Sequence, residues 1–544
     1  MPKNQRLELT WIGKENQPKL EPRILIEDPE KSYGDKNSKN MLIYGDNLLA
    51  LKALEQDFAG KIKCIYIDPP YRTGNAYEKY DDNLEHSIWL SLIYPRVNLL
   101  YRLLREDGVL FVNLDEIEHA YMKVLLDSIF GRANFLGDLI WKKRKGGGND
   151  ARFFALDHDY ILVYAKNATK EVHVQKWRVS QSKEYLKRYK EIDEKGIRFY
   201  WDTLARDGLQ NPIPVKIKCP DGEMLEINSQ KAEATILRGL ENGSVRLSKI
   251  NGKWSLHHRV YMPEGQVLRS ILTDVGTNKT ARDEMSEIFG DKKAFDYPKP
   301  ETLICKIIEL CTNENDLVLD SFLGSGTTAA VAHKMGRRWI GIELGEHCHT
   351  HCLPRLKKVV DGTDQGGISK SVKWKGGGGF KYYYLAPSLL KEDKHGNWVI
   401  DERYNADMLS AAMAKHEGFK YNPDEEIYWK QGQSTEKDFI FTTTQFVTVE
   451  TLDKIKEEMK PGESLLICCK SFQKACENQY PEITVRKIPG MLLGRCEFGR
   501  DDYSFNIVTM PVDPDAPDFV PPGPGKETTG KKKKNAMEQG KLFD

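Results

Sequence analysis

The chain has 544 residues, of which 40% are hydrophobic and 30% are charged, and its 81 basic and 80 acidic side chains leave a net charge of +1. This usage is typical of globular proteins and excludes a disordered, collagenous or low-complexity chain, and the length predicts about three to four domains. Because no run of roughly 18 apolar residues occurs and the N-terminus lacks an apolar signal core, we expect a cytoplasmic protein without a membrane span.

The first part of the chain alternates between apolar strands and amphipathic helices. After a polar N-terminal extension, residues 1–38, the pattern predicts strands over 41–46, 61–68, 109–115 and 158–166 and helices over 47–58, 87–107 and 116–131. Such alternation predicts an α/β fold with a mostly parallel, doubly wound sheet. We therefore expect residues 39–166 to form the first part of an α/β domain.

The alternation stops after residue 166 and resumes near residue 299, so an insertion, residues 167–295, splits the α/β domain. Between residues 139 and 218 the chain carries eighteen Lys or Arg against ten Asp or Glu. This local basic excess favours contact with nucleic acid, with a solvated basic face as the alternative. The second part of the α/β domain is expected over residues 296–362.

Beyond residue 362 the composition changes twice. Glycine clusters within residues 363–385 are typical of a connector. Residues 386–512 hold strand and helix patterns that predict a small α/β C-terminal domain. Residues 513–544 are rich in proline and then in lysine, so we expect a disordered tail.

A glycine-rich turn follows an apolar strand in the segment DLVLDSFLGSGTT. Gly324 and Gly326 let a ligand approach the backbone, and a helix that opens at Thr327 and Thr328 offers unpaired N–H groups. Glu343 ends the next strand, where a dinucleotide-type fold presents an acid to ribose hydroxyls. This order predicts a site for an adenosine-containing cofactor, with a simple tight turn as the alternative.

The block Asp68, Pro69, Pro70 and Tyr71 lies at the carboxyl end of a buried strand, where α/β sheets place their ligands. Two prolines fix the backbone and withhold N–H donors, so a carboxylate and carbonyls face the cleft beside an aromatic ring. Asp68 and the Pro69 carbonyl can accept both hydrogens of an amine while Tyr71 stacks on its ring. A rigid turn capped by an aromatic residue is the alternative.

One compact group has the side chains of a metal site: His347, Cys348, His349, His351 and Cys352. It merges into LPRLKKVV, which has the pattern of a plain amphipathic helix. We therefore favour a helical turn over a zinc site and predict no metal.

The D-P-P-Y block and the F-x-G-x-G block occur together with further recognisable segments. The chain resembles the β-group of DNA amino-methyltransferases and looks most like the modification (Mod) subunits of type III restriction-modification systems. The likeness extends over roughly residues 41–385 and lies in MLIYGDNLLALKAL, CIYIDPPYRTGN, YPRVNLLYRLLREDGVLFVNLDE, HDYILVYAKN, YPKPETLICKIIEL, DSFLGSGTTAAVA, RRWIGIEL and GGGGFKYYYL.

The resemblance implies a Rossmann-like sheet that binds S-adenosyl-L-methionine, with a circularly permuted motif order and with the insertion as the DNA-recognition domain. The adenosine would lie against the glycine loop, with Glu343 on the ribose. The Y-P-K-P-E and G-D-N segments would close over the cofactor, although either could be a helix start. The implied cofactor-binding residues are Gly45, Asp46, Asn47, Lys299, Pro300, Asp320, Phe322, Gly324, Gly326, Thr327 and Glu343.

The resemblance also implies a site-specific DNA methyltransferase in which Asp68, Pro69, Pro70 and Tyr71 form the catalytic block. Family members that act on cytosine N4 commonly carry Ser at the position of Asp68, so Asp favours N6 of a flipped-out adenine. Cytosine-N4 specificity and a catalytically silent DNA-binding subunit remain alternatives.

The implied partners are double-stranded DNA, a second copy of the chain in a homodimer, and a restriction subunit with helicase and nuclease activity. A G-x-x-x-x-G-K-[ST] loop is absent from the sequence, so any ATP motor would belong to that partner. A solitary methyltransferase is the alternative. The terminal segment Gln539, Gly540, Lys541, Leu542 and Phe543 resembles peptides that bind the bacterial sliding clamp.

Overall fold

The computed structural model describes residues 8–70, 82–146, 154–170, 177–179, 183–205, 208, 211–250, 252–263, 265–291, 295 and 297–503. Tyr71 of the predicted catalytic block lies outside these ranges. The predicted disordered tail and its clamp-like peptide, Gln539 to Phe543, lie outside them as well.

Within these ranges the strands, numbered in chain order, are β1 (Leu25–Gly34), β2 (Met41–Tyr44), β3 (Ile62–Ile67), β4 (Leu104–Leu114), β5 (Phe135–Lys142), β6 (His158–Ala165), β7 (Arg178–Val179), β8 (Glu191–Ile192), β9 (Arg198–Thr203), β10 (Ile213–Lys218), β11 (Met224–Ser229), β12 (Val245–Ile250), β13 (Lys253–Tyr261), β14 (Gln266–Val267), β15 (Ile271–Leu272), β16 (Leu317–Asp320), β17 (Arg338–Glu343), β18 (Gly379–Leu385), β19 (Leu390–Glu392), β20 (Trp398–Ile400), β21 (Lys420–Tyr421), β22 (Gly432–Thr435), β23 (Asp438–Val447), β24 (Ser464–Phe472) and β25 (Ile483–Lys487).

The helices of the same ranges are α1 (Asn47–Phe58), α2 (Asp82–Leu103), α3 (His119–Phe130), α4 (Lys183–Leu186), α5 (Glu233–Glu241), α6 (Asn278–Phe289), α7 (Glu301–Cys311), α8 (Thr327–Lys334), α9 (Leu353–Val360), α10 (Ser369–Val372), α11 (Ala406–His416) and α12 (Val449–Glu458). None of these described helices combines the length and the apolarity needed to cross a membrane.

A ten-stranded sheet forms the centre of the described chain, in the order β1-β18-β2-β17-β16-β3-β4-β6-β5-β15. Neighbouring strands run parallel, except that β1 and β6 run antiparallel to their neighbours. The strand order reverses between β16 and β3, which are adjacent in space but far apart in sequence. This architecture confirms the predicted doubly wound α/β fold class with its permuted order.

Both faces of the central sheet are covered by helices. One face packs on α1, α2 and α3, and the other packs on α7, α8 and α9. All six residues of β3 are consequently buried. Parallel strands covered on both faces are near-continuous apolar runs, and this is the pattern that β3 shows in the sequence.

Two segments that we expected outside the α/β domain belong to its sheet. The predicted connector ends in β18, which runs parallel to β2, and the predicted N-terminal extension contains β1, which pairs with β18. The glycine that begins β18 allows close packing, because a Cβ atom on Gly379 would lie 2.3 Å from the backbone nitrogen of Asp35. β1 is a charged edge strand with a proline, a composition that hides its place in a sheet.

The insertion and the C-terminal region each have an apolar core of their own. In the insertion, the sheet β12-β13-β9-β8, the hairpin β10-β11 and α5 enclose a cluster that includes Ile236 and Leu256. β15 leaves this unit and joins the central sheet beside β5. In the C-terminal region, α11 and α12 pack on the sheet β21-β22-β23-β24-β25, which is a small α/β unit.

Candidate active site

The carboxyl ends of five adjacent strands meet at one cleft of about 1250 Å³. Asp46 follows β2, Glu343 ends β17, Asp320 ends β16, Asp68 follows β3 and Asp115 follows β4, and all five line the cleft. Open α/β sheets bind ligands outside the carboxyl ends of their strands, at the point where the strand order reverses. The predicted amine block and the predicted cofactor loop therefore open onto the same space.

Asp68 is held from two sides within this cleft. Asn113, buried at the end of β4, donates to Oδ1 of Asp68 at 3.1 Å, and Lys299 forms a close ion pair with Oδ2. The Asp68 side chain remains 20% exposed. Trp89 donates its indole N–H to the carbonyl of Pro70 at 3.0 Å, which fixes the proline turn.

Asn113 and Lys299 were not predicted as partners of Asp68. The resemblance places Lys299 with the cofactor, whereas the structure places its ammonium group on Asp68, 231 residues away in sequence. A pair so distant leaves no local pattern. Asn113 does leave a signal, because it is a polar residue inside the buried strand VLFVNL.

Asp320 is buried beneath the glycine loop at the end of β16. Its Oδ1 accepts the backbone N–H of Phe322 at 2.9 Å, and its Oδ2 accepts the hydroxyl of Thr328 at 2.6 Å. Burial raises the pKa of Asp320 to about 7; these hydrogen bonds oppose the shift, and the nearby charges of Asp68 and Glu343 add to it. The carboxyl group therefore changes its charge near neutral pH.

Asp320→Asn should remove a pH dependence of stability. The pKa of Asp320 lies above its ordinary value of 3.8, so the folded protein holds this proton more tightly than the unfolded chain does. Its contribution to stability is complete at low pH and is lost as the pH rises from about 4 to about 7, by on the order of a few kcal/mol. Urea unfolding at several pH values, with the exposed Asp57→Asn as control, measures this. An unchanged pH dependence in Asp320→Asn would contradict the assignment.

Glu343 organises the glycine loop through both of its carboxylate oxygens. Oε2 accepts the backbone N–H of Gly324 at 2.7 Å. Oε1 accepts those of Leu344 and Gly345 at 2.9 and 3.1 Å and pairs with His347 at 2.9 Å. Since a carboxylate oxygen has about two lone-pair sites, Oε2 keeps one acceptor position for a further donor.

Most of the predicted site residues in the described ranges line the cleft. Gly45, Pro300 and Gly326 instead lie behind it: Gly45 donates its N–H to the Glu343 carbonyl at 3.0 Å, and Pro300 precedes α7. Gly326 has φ +82°, and a Cβ atom there would lie 3.3 Å from the Cα of Cys352 rather than in ligand space. The predicted residues that line the cleft are Asp46, Asn47, Asp68, Pro69, Pro70, Lys299, Asp320, Phe322, Gly324, Thr327 and Glu343.

The G-D-N segment is a helix start and part of the cleft at once. Asp46 caps α1 by accepting the N–H of Leu49 at 3.0 Å. Asn47 reaches across to the cofactor loop and donates its amide to the carbonyl of Ser321 at 2.8 Å. A helix start and a place beside the predicted cofactor loop are therefore compatible for this segment.

Arg96, which was not predicted from the sequence, anchors the G-D-N segment through hydrogen bonds to Asn47 and Asp46. Its Nε donates to Oδ1 of Asn47 at 2.5 Å, and its Nη2 donates to Oδ2 of Asp46 at 3.4 Å and to the carbonyl of Tyr503 at 3.1 Å. The N–H of Tyr503 in turn donates to Asp46 at 3.0 Å. Complete burial lowers the pKa of Arg96 to about 10, so it remains charged at neutral pH.

The side chains of the histidine and cysteine group after β17 contact different parts of the structure instead of converging on one point. His347 pairs with Glu343, His349 shares a hydrogen bond with Tyr382 at 3.1 Å, and the thiol of Cys352 donates to the Gly324 carbonyl at 3.0 Å. Among the described residues, no group of three or more His, Cys, Asp or Glu side chains is arranged to hold a metal ion.

Comparison with known sequences defines the class of protein. Residues 62–352, more than half of the chain, match the "DNA methylase" family of N6 and N4 methyltransferases. The chain belongs to this family, which confirms the resemblance seen in its motifs.

Its curated relatives include Mod subunits of type III restriction-modification enzymes. The chain is 34% identical over 408 residues to the probable HindVI Mod subunit of Haemophilus influenzae, a match that covers 64% of this chain and 54% of that protein. It is 32% identical over 364 residues to the StyLTI Mod subunit of Salmonella typhimurium, covering 59% of this chain and 55% of that protein. The match thus spans about half the length of these relatives. A solved structure of a putative DNA modification methylase from Thermus thermophilus, complexed with S-adenosyl-L-methionine, aligns with 63% of this chain and 99% of its own at a TM-score of 0.33 and 15% identity.

Proposed function

We propose that the chain transfers a methyl group from S-adenosylmethionine to N6 of an adenine in double-stranded DNA. The observation that carries this proposal is the meeting of Asp68 and Asp320 at the ends of the adjacent strands β3 and β16. Asp68 begins the proline block that offers acceptors to an amine, and Asp320 begins the glycine loop. An amine site and a nucleoside site therefore share one cleft.

The cleft fits this cofactor beside a base. Its volume of about 1250 Å³ exceeds the roughly 300–1,000 Å³ of an ordinary single-ligand pocket. The buried hydroxyls of Tyr66 and Ser321 have no hydrogen-bond partner among the described residues, and Oε2 of Glu343 can accept a ribose hydroxyl. Asp68 and Asp320 both line the cleft, so their carboxyl groups would favour a cationic cofactor there. When bound, the cofactor supplies an electrophilic methyl group.

Asp68 is the residue that prepares the amine. Asn113 and Lys299 fix its carboxylate, and an arriving N6 amine competes with Lys299 for Oδ2. Hydrogen bonds from N6 to Asp68 and to the Pro69 carbonyl withdraw the nitrogen lone pair from the ring and direct it at the methyl group. The transfer would be an in-line displacement that depends on positioning and electrostatics. The bond from N6 to the methyl carbon would form as the methyl–sulfur bond breaks, the thioether product would leave, and the proton that N6 loses would pass through Asp68 to solvent. The adenine must leave the duplex to reach this position.

A methyl-transfer assay tests the proposal. Purified protein, duplex DNA of mixed sequence and cofactor labelled in its methyl group are incubated, and the DNA is digested to nucleosides. We expect the label in N6-methyladenine. Label in N4-methylcytosine would overturn the choice of base, and cofactor binding without labelled DNA would indicate a silent DNA-binding subunit.

We further propose that the insertion, residues 167–295, reads the DNA sequence. Exchanging residues 183–261 for the matching part of a relative should change the sequence that is methylated and leave cofactor affinity unchanged. The exchange stops before β15 and α6, because β15 pairs with β5 and α6 carries Glu284, which accepts the N–H of Glu301 at 3.0 Å. Sequencing of methylated DNA measures the outcome. An active hybrid that keeps the original site would place recognition elsewhere.

The Mod relatives support a role as the modification subunit of a type III restriction-modification system. We infer a cytoplasmic homodimer that joins a restriction subunit with helicase and nuclease activity. Copurification with the product of a neighbouring gene and the mass of the complex test both partners. Contact of Leu542 and Phe543 with a sliding clamp stays a prediction, checked by pull-down with a chain truncated after Glu538.

A further inference from the structure

The hairpin that joins β5 to β6 stands at the rim of the cleft. The two strands pair antiparallel up to Lys142 opposite His158. Beyond that point the N–H groups of Lys143 and Arg144 both reach the carbonyl of Asp157, at 2.8 and 3.3 Å. The described parts of the hairpin, up to residue 146 and from residue 154, thus project from the same edge of the sheet as Asp68.

Three large apolar side chains converge at this rim. Phe154 is 84% exposed, Leu156 is 42% exposed and Tyr297 is 80% exposed, yet all three line the cleft. Single exposed apolar side chains are normal on protein surfaces, whereas several at the mouth of one cleft indicate a surface that is covered by a partner.

The arm of the hairpin opposite Phe154 is strongly basic. It carries four consecutive cations, Lys142, Lys143, Arg144 and Lys145. Lys143 pairs with Asp159 at 2.6 Å, while the other three are exposed and form no ion pair with a described residue. Such a surface is complementary to duplex DNA, because its apolar side chains can pack on stacked bases while its cations contact the phosphates on either side. Protein interfaces, in contrast, are depleted in lysine.

We propose that the described arms of the β5–β6 hairpin dock on duplex DNA, with Phe154 against the base pairs beside the extruded adenine and Arg144 on a phosphate. The inference rests on the proposed adenine methylation and adds a surface outside the sequence-reading insertion. Apolar side chains that enter a base step unstack it, which lowers the cost of extruding the neighbouring base. Phe154 is therefore a positioning residue that assists base extrusion and does not touch the methyl group.

Phe154→Ala tests the apolar part, once sequencing has identified the methylated site. One duplex carries the target adenine opposite thymine, and a second carries it opposite an abasic site, where extrusion is already easy. We expect Phe154→Ala to lose about tenfold or more in kcat/KM on the paired duplex and to match the wild type on the abasic duplex. Phe154→Trp should restore the paired activity. Phe446→Ala, at an exposed aromatic residue in β23, is the matched control.

Two results would overturn the role of Phe154: wild-type kcat/KM of Phe154→Ala on the paired duplex, or an equal loss on both duplexes. They differ from failure of the proposed function, in which the wild type itself would transfer no methyl group to DNA.

Arg144→Ala tests the charged part. The logarithm of the DNA-binding constant decreases linearly with the logarithm of the salt concentration, and the magnitude of this slope should be smaller by about one in the variant for any duplex sequence. Cofactor affinity should stay unchanged. Arg486→Ala, at an exposed position on β25 outside the insertion, should leave the slope unchanged. Equal slopes for Arg144→Ala and the wild type would remove this residue from the DNA surface.

Discussion

Asp68→Ala should strongly slow methyl transfer while cofactor affinity stays close to that of the wild type. Asp68 accepts the amine, and losing one positioned acceptor in a water-poor site costs about 2–4 kcal/mol of barrier, or roughly 30- to 1000-fold in rate. The cofactor loop keeps its own contacts through Asp320 and Glu343. Calorimetry with S-adenosylmethionine and the labelled-methyl assay measure the two properties separately.

Two further variants sharpen this test. Asp68→Asn preserves the shape of the side chain but removes the charge that pairs with Lys299, so it should also be strongly impaired. Asp57→Ala changes an exposed aspartate at the end of α1 and should leave the rate unchanged. Wild-type turnover in Asp68→Ala would exclude Asp68 from catalysis.

Arg96→Ala should give the largest loss of stability among the cleft variants. Arg96 is fully buried and joins Asp46, Asn47 and Tyr503, so its removal leaves a buried carboxylate without its cation and costs about 3–5 kcal/mol. Cofactor affinity should fall as well, because Asn47 loses the contact that holds it towards Ser321. Urea unfolding and calorimetry measure the two effects.

Arg102→Ala on the same helix is the matched control. Its side chain is 61% exposed and pairs with Glu55 at 2.9 Å, an interaction that contributes at most about 1 kcal/mol. If Arg96→Ala were as stable as Arg102→Ala, the buried network would not support the cleft.

The order of strands and helices in the α/β domain was predictable because its central strands are buried on both faces. β3 and β16 read as short apolar runs, and the polar residues at their carboxyl ends mark the ligand edge of a parallel sheet. β1 and β18 were not predictable in this way. A charged edge strand, and a strand that begins at the last of four consecutive glycines, have the composition of linkers, and only their pairing identifies them as strands.

The same division applies to the candidate site. Asp68 follows a strand and Glu343 ends one, so the local pattern singled out both, whereas Asp320 was implied by the family resemblance. The pairing of Lys299 with Asp68 and the anchoring of Asn47 by Arg96 are tertiary contacts between distant segments, and a single sequence carries no sign of them. At Gly326 the positive φ and the close approach of Cys352 explain the need for glycine, and its contact with the cofactor stays a prediction.

The most direct test of the central claim is sequencing of genomic DNA from a host that lacks adenine methylation and expresses either the wild-type chain or Asp68→Ala. We expect N6-methyladenine at one recurring sequence with the wild type and far less of it at that sequence with the variant. N4-methylcytosine at that sequence, or unmodified DNA although the purified chain binds S-adenosylmethionine, would contradict it.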